Sequence, residues 1–498
     1  MKDAISSGED TPVIMEKEEV VMLEDTMSGA AEEFDTKSTK RLLRKIDFAL
    51  IPFLSLLYLL SFLDRTNIGN ARLAGLEASL GMKGLAYNAS SNALAIFFPF
   101  YVLAEVPSNL MMKATRPSIW IPTIMVAWGV VCVAMGLVKN YSGLMAARSF
   151  LGLAEGGLFP GVTFYITMWY RRHECGLRMS IFFSAATAAG AFGGLLARAI
   201  VEMDHTAGLR AWQWIFILEG IATFVVAIIA FFVMYDYPST AKFLTQAEKT
   251  EVSRRLTEDR GSLAEEFGMQ YAMDALKDWK IWVNCFITVG IFTPLYSVSL
   301  FMPTIVKSLG YTDPKLAQLM TVPPYVVACV MCVTTGFAAD RLRTRGIFQM
   351  GWIVVSIAGF LMLLLASDNK IKYAGTFLTT MGIYTNVPQC TCWNSNNVGG
   401  STKRSVGMAL QVGIGNLGGT MASYMFLSRT GPHFREGYSA SIALSAMAFA
   451  GSAFMTWYLR RENARRDREY KRPEDYTVEE KLLERHLGDN ASFFRYTV

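Results

Sequence analysis

The feature that most constrains this chain is a succession of apolar blocks, many near the roughly 20 residues a helix needs to cross a bilayer. The first, IDFALIPFLSLLYLL from Ile46, holds no charge after Asp47. A backbone inside lipid has no water to bond, so blocks of this kind must satisfy their own N–H and C=O groups as helices. Soluble domains carry about 25% charged residues; here only 18% of 498 are charged and 52% are hydrophobic. An all-α integral membrane protein is expected.

Spans are expected at about 46–67, 89–112, 118–138, 143–168, 179–201 and 212–235, and again at 281–302, 318–339, 347–366, 372–396, 405–427 and 438–459. Twelve transmembrane helices in two six-helix, pseudo-symmetric lobes are the outline of a secondary transporter with repeated halves. The chain then divides into a disordered cytosolic tail (1–45), a first lobe (46–235), a cytosolic central loop (236–280), a second lobe (281–460) and a cytosolic tail (461–498) expected to be charged and peripheral. In the loop, Thr245 followed by Glu248 fits a capping box, and Val252 and Leu256 continue an apolar stripe, so a surface helix bridging the lobes is expected.

Orientation follows from Lys and Arg near the span ends. With the N-terminus inside, one side collects Lys37 to Lys45, Lys113, Arg116, Arg171, Arg172, Arg178, Arg341 to Arg345, Lys403, Arg404 and the run from Arg460 to Arg468. Both termini are therefore expected in the cytosol, and the plasma membrane is the default location. The acid-rich first 35 residues have neither the basic start nor the short apolar core of a signal peptide. The sequons at Asn88 and Asn140 hug the membrane and are expected to stay unmodified. Seven cysteines, mostly within spans, read as small apolar packing residues.

Nothing suggests an enzyme. There is no phosphate-binding glycine loop with lysine, no metal-spaced His/Glu set and no nucleophile elbow, so no cofactor or metal is expected. The basic residues track one membrane edge, which argues against nucleic acid as a partner. The partners expected are lipid, a small organic anion and a proton, with the protein a monomer.

Several spaced motifs resemble a known family. GFAADRLRTRG, Gly336 to Gly346, is similar to the cytoplasmic loop signature of major facilitator transporters. EVPSNLMMKATRPSIW, DRTNIGNA, PSTAKFLTQAEK and NNVGGSTKR resemble the anion:cation symporter branch, the fungal allantoate and nicotinic acid permeases. QLMTVPPY and MGIYTN most resemble the nicotinic acid permeases of that branch. The likeness covers roughly 40 to 460. It implies that Asp340, with Arg341 and Arg345, locks neighbouring helices in one conformational state.

Charges inside spans cost roughly 2.5–3.5 kcal/mol each on the insertion scale and usually mark function. Here they are Asp64, Arg65, Glu105, Arg148, Glu155 and Glu219. Arg148 and Glu155 are seven apart and share a helix face. Counted along spans 1 and 4, Asp64, Arg65, Arg148 and Glu155 reach similar depth, so the four are expected to meet. One reading is that they are ion pairs fixing helix packing. Against it, a buried ion pair is seldom the cheapest way to hold helices, and an arginine fork suits a carboxylate. The resemblance implies that Arg65 binds the substrate carboxylate, that Asp64 and Glu155 carry protons, and that Arg148 belongs to the same set. Histidine is excluded as carrier, since His173, His205, His433 and His486 fall in loops or tails. Glu105 reads as a gate or packing residue and Glu219 as a packing acid.

The second lobe should supply the groups that define the substrate. Span 10, YTNVPQCTCWNSNN, is unusually polar, and Pro388 is expected to break it. Asn386, Gln389, Trp393 and Asn394 are candidates for hydrogen bonding and ring stacking, with Tyr296 and Ser299 of span 7 and Gln411 and Asn416 of span 11; taken alone, each reads first as a helix-packing residue. GNLGG is a close-packing stretch. The reading is proton-driven import of a small organic anion, first a nicotinate-like monocarboxylate. An exporter is the nearest rival, although SAATAAGAFGG in span 5 lacks the proline of antiporters. A non-transporting nutrient sensor would need a longer signalling tail.

Overall fold

The computed structural model describes residues 34–82, 89–260, 263, 268–310, 314–425 and 434–498. Most of the acidic N-terminal tail, Asn88 and His433 lie outside these residues.

Among the described residues the regular structure is entirely helical, and nine helices are long and apolar enough to cross a membrane. The first lobe holds α1 (Thr36–Leu73), α2 (Phe97–Ala114), α3 (Pro117–Gly136), α4 (Tyr141–Glu155), α5 (Leu158–Thr167), α6 (Cys175–Val201) and α7 (Ala211–Val233). Two loop helices follow, α8 (Gln246–Arg260) and α9 (Met269–Lys277). The second lobe holds α10 (Trp279–Ser308), α11 (Pro314–Leu342), α12 (Gly346–Leu365), α13 (Asn369–Asn397), α14 (Ser401–Ala422) and α15 (Arg435–Glu469). Taking α4 and α5 as one interrupted span, the layout is consistent with six and six. The polar spans α13 and α14 sit inside the protein rather than in lipid, which is how a membrane helix can carry so many amides.

Several boundaries differ from expectation. Asp35 caps α1, its carboxylate accepting from the Ser38 amide at 2.7 Å, so α1 begins ten residues before the apolar block does. Span 4 is interrupted at Gly156–Gly157. Span 10, by contrast, runs unbroken through Pro388. The α8 cap is as expected, with Thr245 and Glu248 bonding each other's backbone amides. The helix does not bridge the lobes, however: its ion pairs run to Lys45, Arg171, Arg172 and Glu174, all first-lobe residues.

The lobes meet along α6 with α11 and along α2 with α14. Glycine makes the second contact close. A Cβ at Gly419 would overlap the Phe98 ring, and one at Gly413 would overlap the Glu105 carboxylate. Gly152, Gly156 and Gly157 do the same between α4 and α2: a Cβ at any of them would strike Phe97 O, Tyr101 O or Ser108. These small residues let helix backbones touch.

One face of the bundle gathers Lys45, Glu174, α8, the Asp340–Arg345 turn, Lys280, Lys403 and the end of α15; we call it the terminal face. The chain beyond α15 is not peripheral. Thr477 caps a short helix, α16 (Val478–Leu483), and the following residues bury Phe493, Phe494 and Tyr496 against this face.

Candidate functional site

Helical geometry sorts the polar end of α1 into two faces. Adjacent residues point about 100° apart, whereas i and i+4 align. Ser61 and Arg65 therefore share one face, and both reach Glu155 Oε1: the Ser61 hydroxyl donates at 2.5 Å and Arg65 Nη2 at 2.7 Å. Arg65 is 4% exposed and Glu155 0%, so the pair is sealed from water.

Asp64 and Asn67 share the other face, which looks into the first lobe. Asp64 accepts from Trp128 Nε1 at 2.7 Å, from Thr223 Oγ1 at 3.1 Å and from Cys132 Sγ at 3.6 Å. Asn67 donates to Glu219. The expected meeting of four charges is thus only half realised. Arg65 and Glu155 pair, but Asp64 is turned away, because the residue beside Arg65 cannot face the same way.

Arg148 is 1% exposed and makes no ion pair among the described residues. Its Nε donates to Ala93 O at 3.1 Å, while Nη1 finds no partner. Its guanidinium lies 4.9 Å from the centre of the Phe97 ring, and that of Arg65 lies 5.4 Å from the same ring. Tyr101, one turn on, sits 4.8 Å from Arg65. Two buried cations thus share one aromatic ring with a single carboxylate between them, and desolvated charge of this kind is expensive unless paired.

The second lobe enters through Tyr296 on α10. Its hydroxyl accepts from Arg65 Nη1 at 2.7 Å and donates to Asn416 Oδ1. Asn416 Nδ2 in turn donates to Glu105 Oε1 at 2.8 Å. A continuous polar chain therefore runs from Glu155 through Arg65, Tyr296 and Asn416 to Glu105, crossing the lobe boundary twice. Toward the terminal face, Tyr58, Phe159, Phe182 and Phe183 pack together, and Tyr384 and Tyr325 close in from the other lobe.

The span-10 candidates are placed elsewhere. Asn386 bonds the Gly382 carbonyl of its own helix at 2.8 Å. Gln389 Oε1 accepts from Arg345 at 3.1 Å, Trp393 donates to Thr497 O at 2.9 Å and Asn394 contacts Gly407 O at 3.4 Å. Counted along α13, the residues after Pro388 lie toward the terminal face. Gln411 likewise bonds Thr288 and Cys390 within the second lobe, and Ser299 bonds the Tyr296 carbonyl.

The signature turn forms a second polar cluster. Asp340 accepts from the amides of Gly176 at 3.2 Å and Leu177 at 2.7 Å, at the N-terminus of α6 in the other lobe. Arg345 bonds Asp340, whereas Arg341 is exposed. Free amides at a helix start attract a carboxylate, so this contact joins the second lobe to α6 of the first on the terminal face.

Ser61, Phe97, Tyr101, Trp128 and Thr223 were not singled out from the sequence. Phe97 and Tyr101 carried a legible signal, an i, i+4 aromatic pair on the helix that carries EVPSN. Ser61, Trp128 and Thr223 are of types too common in spans to stand out.

Residues 54–423 match the family model described as Major Facilitator Superfamily. The MFS-type transporter cnsO of Penicillium expansum is 34% identical, over 100% of this chain and 96% of its own length. The major facilitator-type transporter hxnP of Emericella nidulans is 32% identical over 87% and 88%. Among solved structures, the proton:xylose symporter XylE superposes with a TM-score of 0.63 at 15% identity, covering 82% of this chain and 95% of that one. An inward-facing bacterial homologue of the lysosomal transporter Spinster gives 0.56 at 15%, covering 82% and 96%. The chain is a multi-pass membrane transporter and belongs to the major facilitator superfamily.

Proposed function

We propose that the protein imports a small organic anion together with protons by alternating access, in the manner of the anion:cation symporter branch. The observation that carries this reading is the charge balance around Phe97. Arg65 and Arg148 are both buried, Glu155 neutralises one of them, and Arg148 Nη1 is left without an acceptor. An incoming carboxylate supplies the missing negative charge, and a planar arginine fork suits it geometrically. Phe97, Tyr101, Tyr296 and Phe98 surround the position with rings, which favours an aromatic monocarboxylate, nicotinate-like in the first instance.

Coupling follows from the same atoms. A proton taken by Glu155 removes the charge that holds Arg65 Nη2 and frees that nitrogen for the substrate carboxylate. Once the site opens to the other side, loss of the substrate lets Arg65 recapture Glu155, which expels the proton. Asp64 serves as a second proton site inside the first lobe, held by neutral donors from α3 and α7. Glu105 and Asn416 tie this event to the α2–α14 contact, so that breaking the Arg65–Tyr296 bond loosens the closed lobes. The excess of Lys and Arg makes the terminal face cytosolic, with the plasma membrane as the site of action.

The test is uptake into proteoliposomes under an imposed inward proton gradient, with labelled carboxylates headed by nicotinate and neutral sugars as controls. Gradient-dependent accumulation of an acid supports the reading. Accumulation of the sugars alone overturns it.

A further inference from the structure

Within residues 484–498, Gly488, Asp489, Ala491, Phe493, Phe494 and Tyr496 are buried, while His486, Leu487 and Asn490 stay exposed. Arg466, at the end of α15 and 5% exposed, sends Nη1 to the carbonyls of Asp489 (3.0 Å), Ala491 (3.2 Å) and Phe494 (2.9 Å). The Asp489 carboxylate, fully buried, takes Lys403 Nζ at 2.6 Å and Lys280 Nζ, and so ties the starts of α14 and α10 together. Burial opposes charge on Asp489, but the two ammonium groups outweigh it and hold the carboxyl below its ordinary range. Asn397 pairs with both backbone groups of Thr497 at 2.7 and 2.9 Å, and the Arg345 amide donates to Val498 O at 2.7 Å.

All of those partners lie in the second lobe. The first lobe touches the segment through Arg172, whose Nη1 donates to Arg495 O at 3.2 Å and whose guanidinium lies 5.1 Å from the Phe494 ring centre. Arg172 is itself fixed from behind, its amide and Nη2 each donating to Asp259 at 2.8 Å. The attachment is therefore lopsided. When the lobes part on this face, the segment must stay with the second lobe and let go of Arg172.

We propose that residues 484–498 are a gate strap, carried by the second lobe and latched to Arg172 of the first whenever the terminal face is closed. The strap adds to the Asp340–α6 contact beside it and sets how much of the population stands open toward this face. A charged donor with a ring partner supports a change of about tenfold in the open-to-closed ratio. The idea does not depend on which substrate is carried.

The Cys175 thiol, buried at the start of α6 beside the Gly176 amide that Asp340 accepts from, reports the gate. The experiment measures its alkylation by a maleimide in the full-length protein in lipid nanodiscs, quantified on its peptide by mass spectrometry. Cys132, buried within the first lobe, is the internal control. Deleting residues 493–498 is expected to raise the Cys175 rate about tenfold and to leave Cys132 unchanged. Phe494→Ala, which keeps the anchors to the second lobe, is expected to raise it about two- to fivefold and decides the question alone if the deletion does not fold. A Cys175 rate unaltered in Phe494→Ala overturns the strap, as does an equal rise at Cys132, which would mark general loosening.

Discussion

Replacing Arg65 by lysine keeps the charge and removes the fork. In the closed protein the guanidinium makes two bonds in different directions, 2.7 Å to Glu155 in the first lobe and 2.7 Å to Tyr296 in the second. A lysine places one compact ammonium at the end of a flexible stem, so it keeps the Glu155 pair and gives up Tyr296. A hydrogen bond to a charged group contributes roughly 1.5–3 kcal/mol, and each 1.4 kcal/mol is about tenfold. Loss of one such bond from the loaded, closed intermediate therefore lowers initial uptake by about ten- to a hundredfold. The assay is initial uptake of the accepted anion in proteoliposomes, alongside size-exclusion elution and thermal melting. Arg65→Lys should elute like wild type and melt cooperatively at a somewhat lower temperature, with uptake lowered by about ten- to a hundredfold. Uptake within twofold of wild type would refute the role given to the fork.

Glu155→Gln keeps the hydrogen bond from Ser61 but cannot exchange a proton, so it should retain anion counterflow and lose accumulation driven by a pH gradient. Gly156→Ala pushes a methyl into Tyr101 O and Ala104 on α2; overpacking of this kind costs about 1–3 kcal/mol, seen as a lower melting temperature. Asp340→Asn weakens the charge at the start of α6 by about 1 kcal/mol, so the Gly176 and Leu177 amides should exchange with deuterium roughly fivefold faster. The Asp489 carboxyl lies below its ordinary range in the folded protein. Its contribution is complete above the unfolded value near 3.9 and is lost only as pH falls through the lowered one. Limited proteolysis between residues 485 and 498 should therefore be equally slow at pH 5 and pH 7.5, and acceleration at pH 5 would contradict the Lys280–Asp489–Lys403 pairing.

The fold was legible because the length and polarity of an apolar block are almost sufficient to specify a membrane helix. Within the site, legibility followed helical spacing. Arg148 and Glu155, seven apart, share a face as expected, and Arg65 meets Glu155. Asp64 failed the expectation for the same geometric reason: depth along a helix says nothing about azimuth, and one residue rotates a side chain by about 100°. Span 10 misled through Pro388, because a proline can be absorbed in a membrane helix when neighbours re-satisfy the freed backbone groups. Gln389 then meets Arg345 while Trp393 and Asn397 meet Thr497 of the tail, and the aromatic surroundings of Arg65 come from α2 and α10. The tail itself was illegible: a charged stretch with Phe493, Phe494 and Tyr496 reads as solvated until its partners, Lys280, Asn397, Lys403 and Arg466, are placed in space.

The central claim, that anion and proton move together through the Arg65–Glu155 pair, is tested most directly by lumenal pH. Proteoliposomes carrying a trapped pH indicator, with equal pH on both sides, receive an inward gradient of the accepted carboxylate. The account predicts lumenal acidification above that of protein-free liposomes, present in wild type and absent in Glu155→Gln. Uptake of the anion with no pH change beyond the protein-free control, or an acidification that survives Glu155→Gln undiminished, would contradict it.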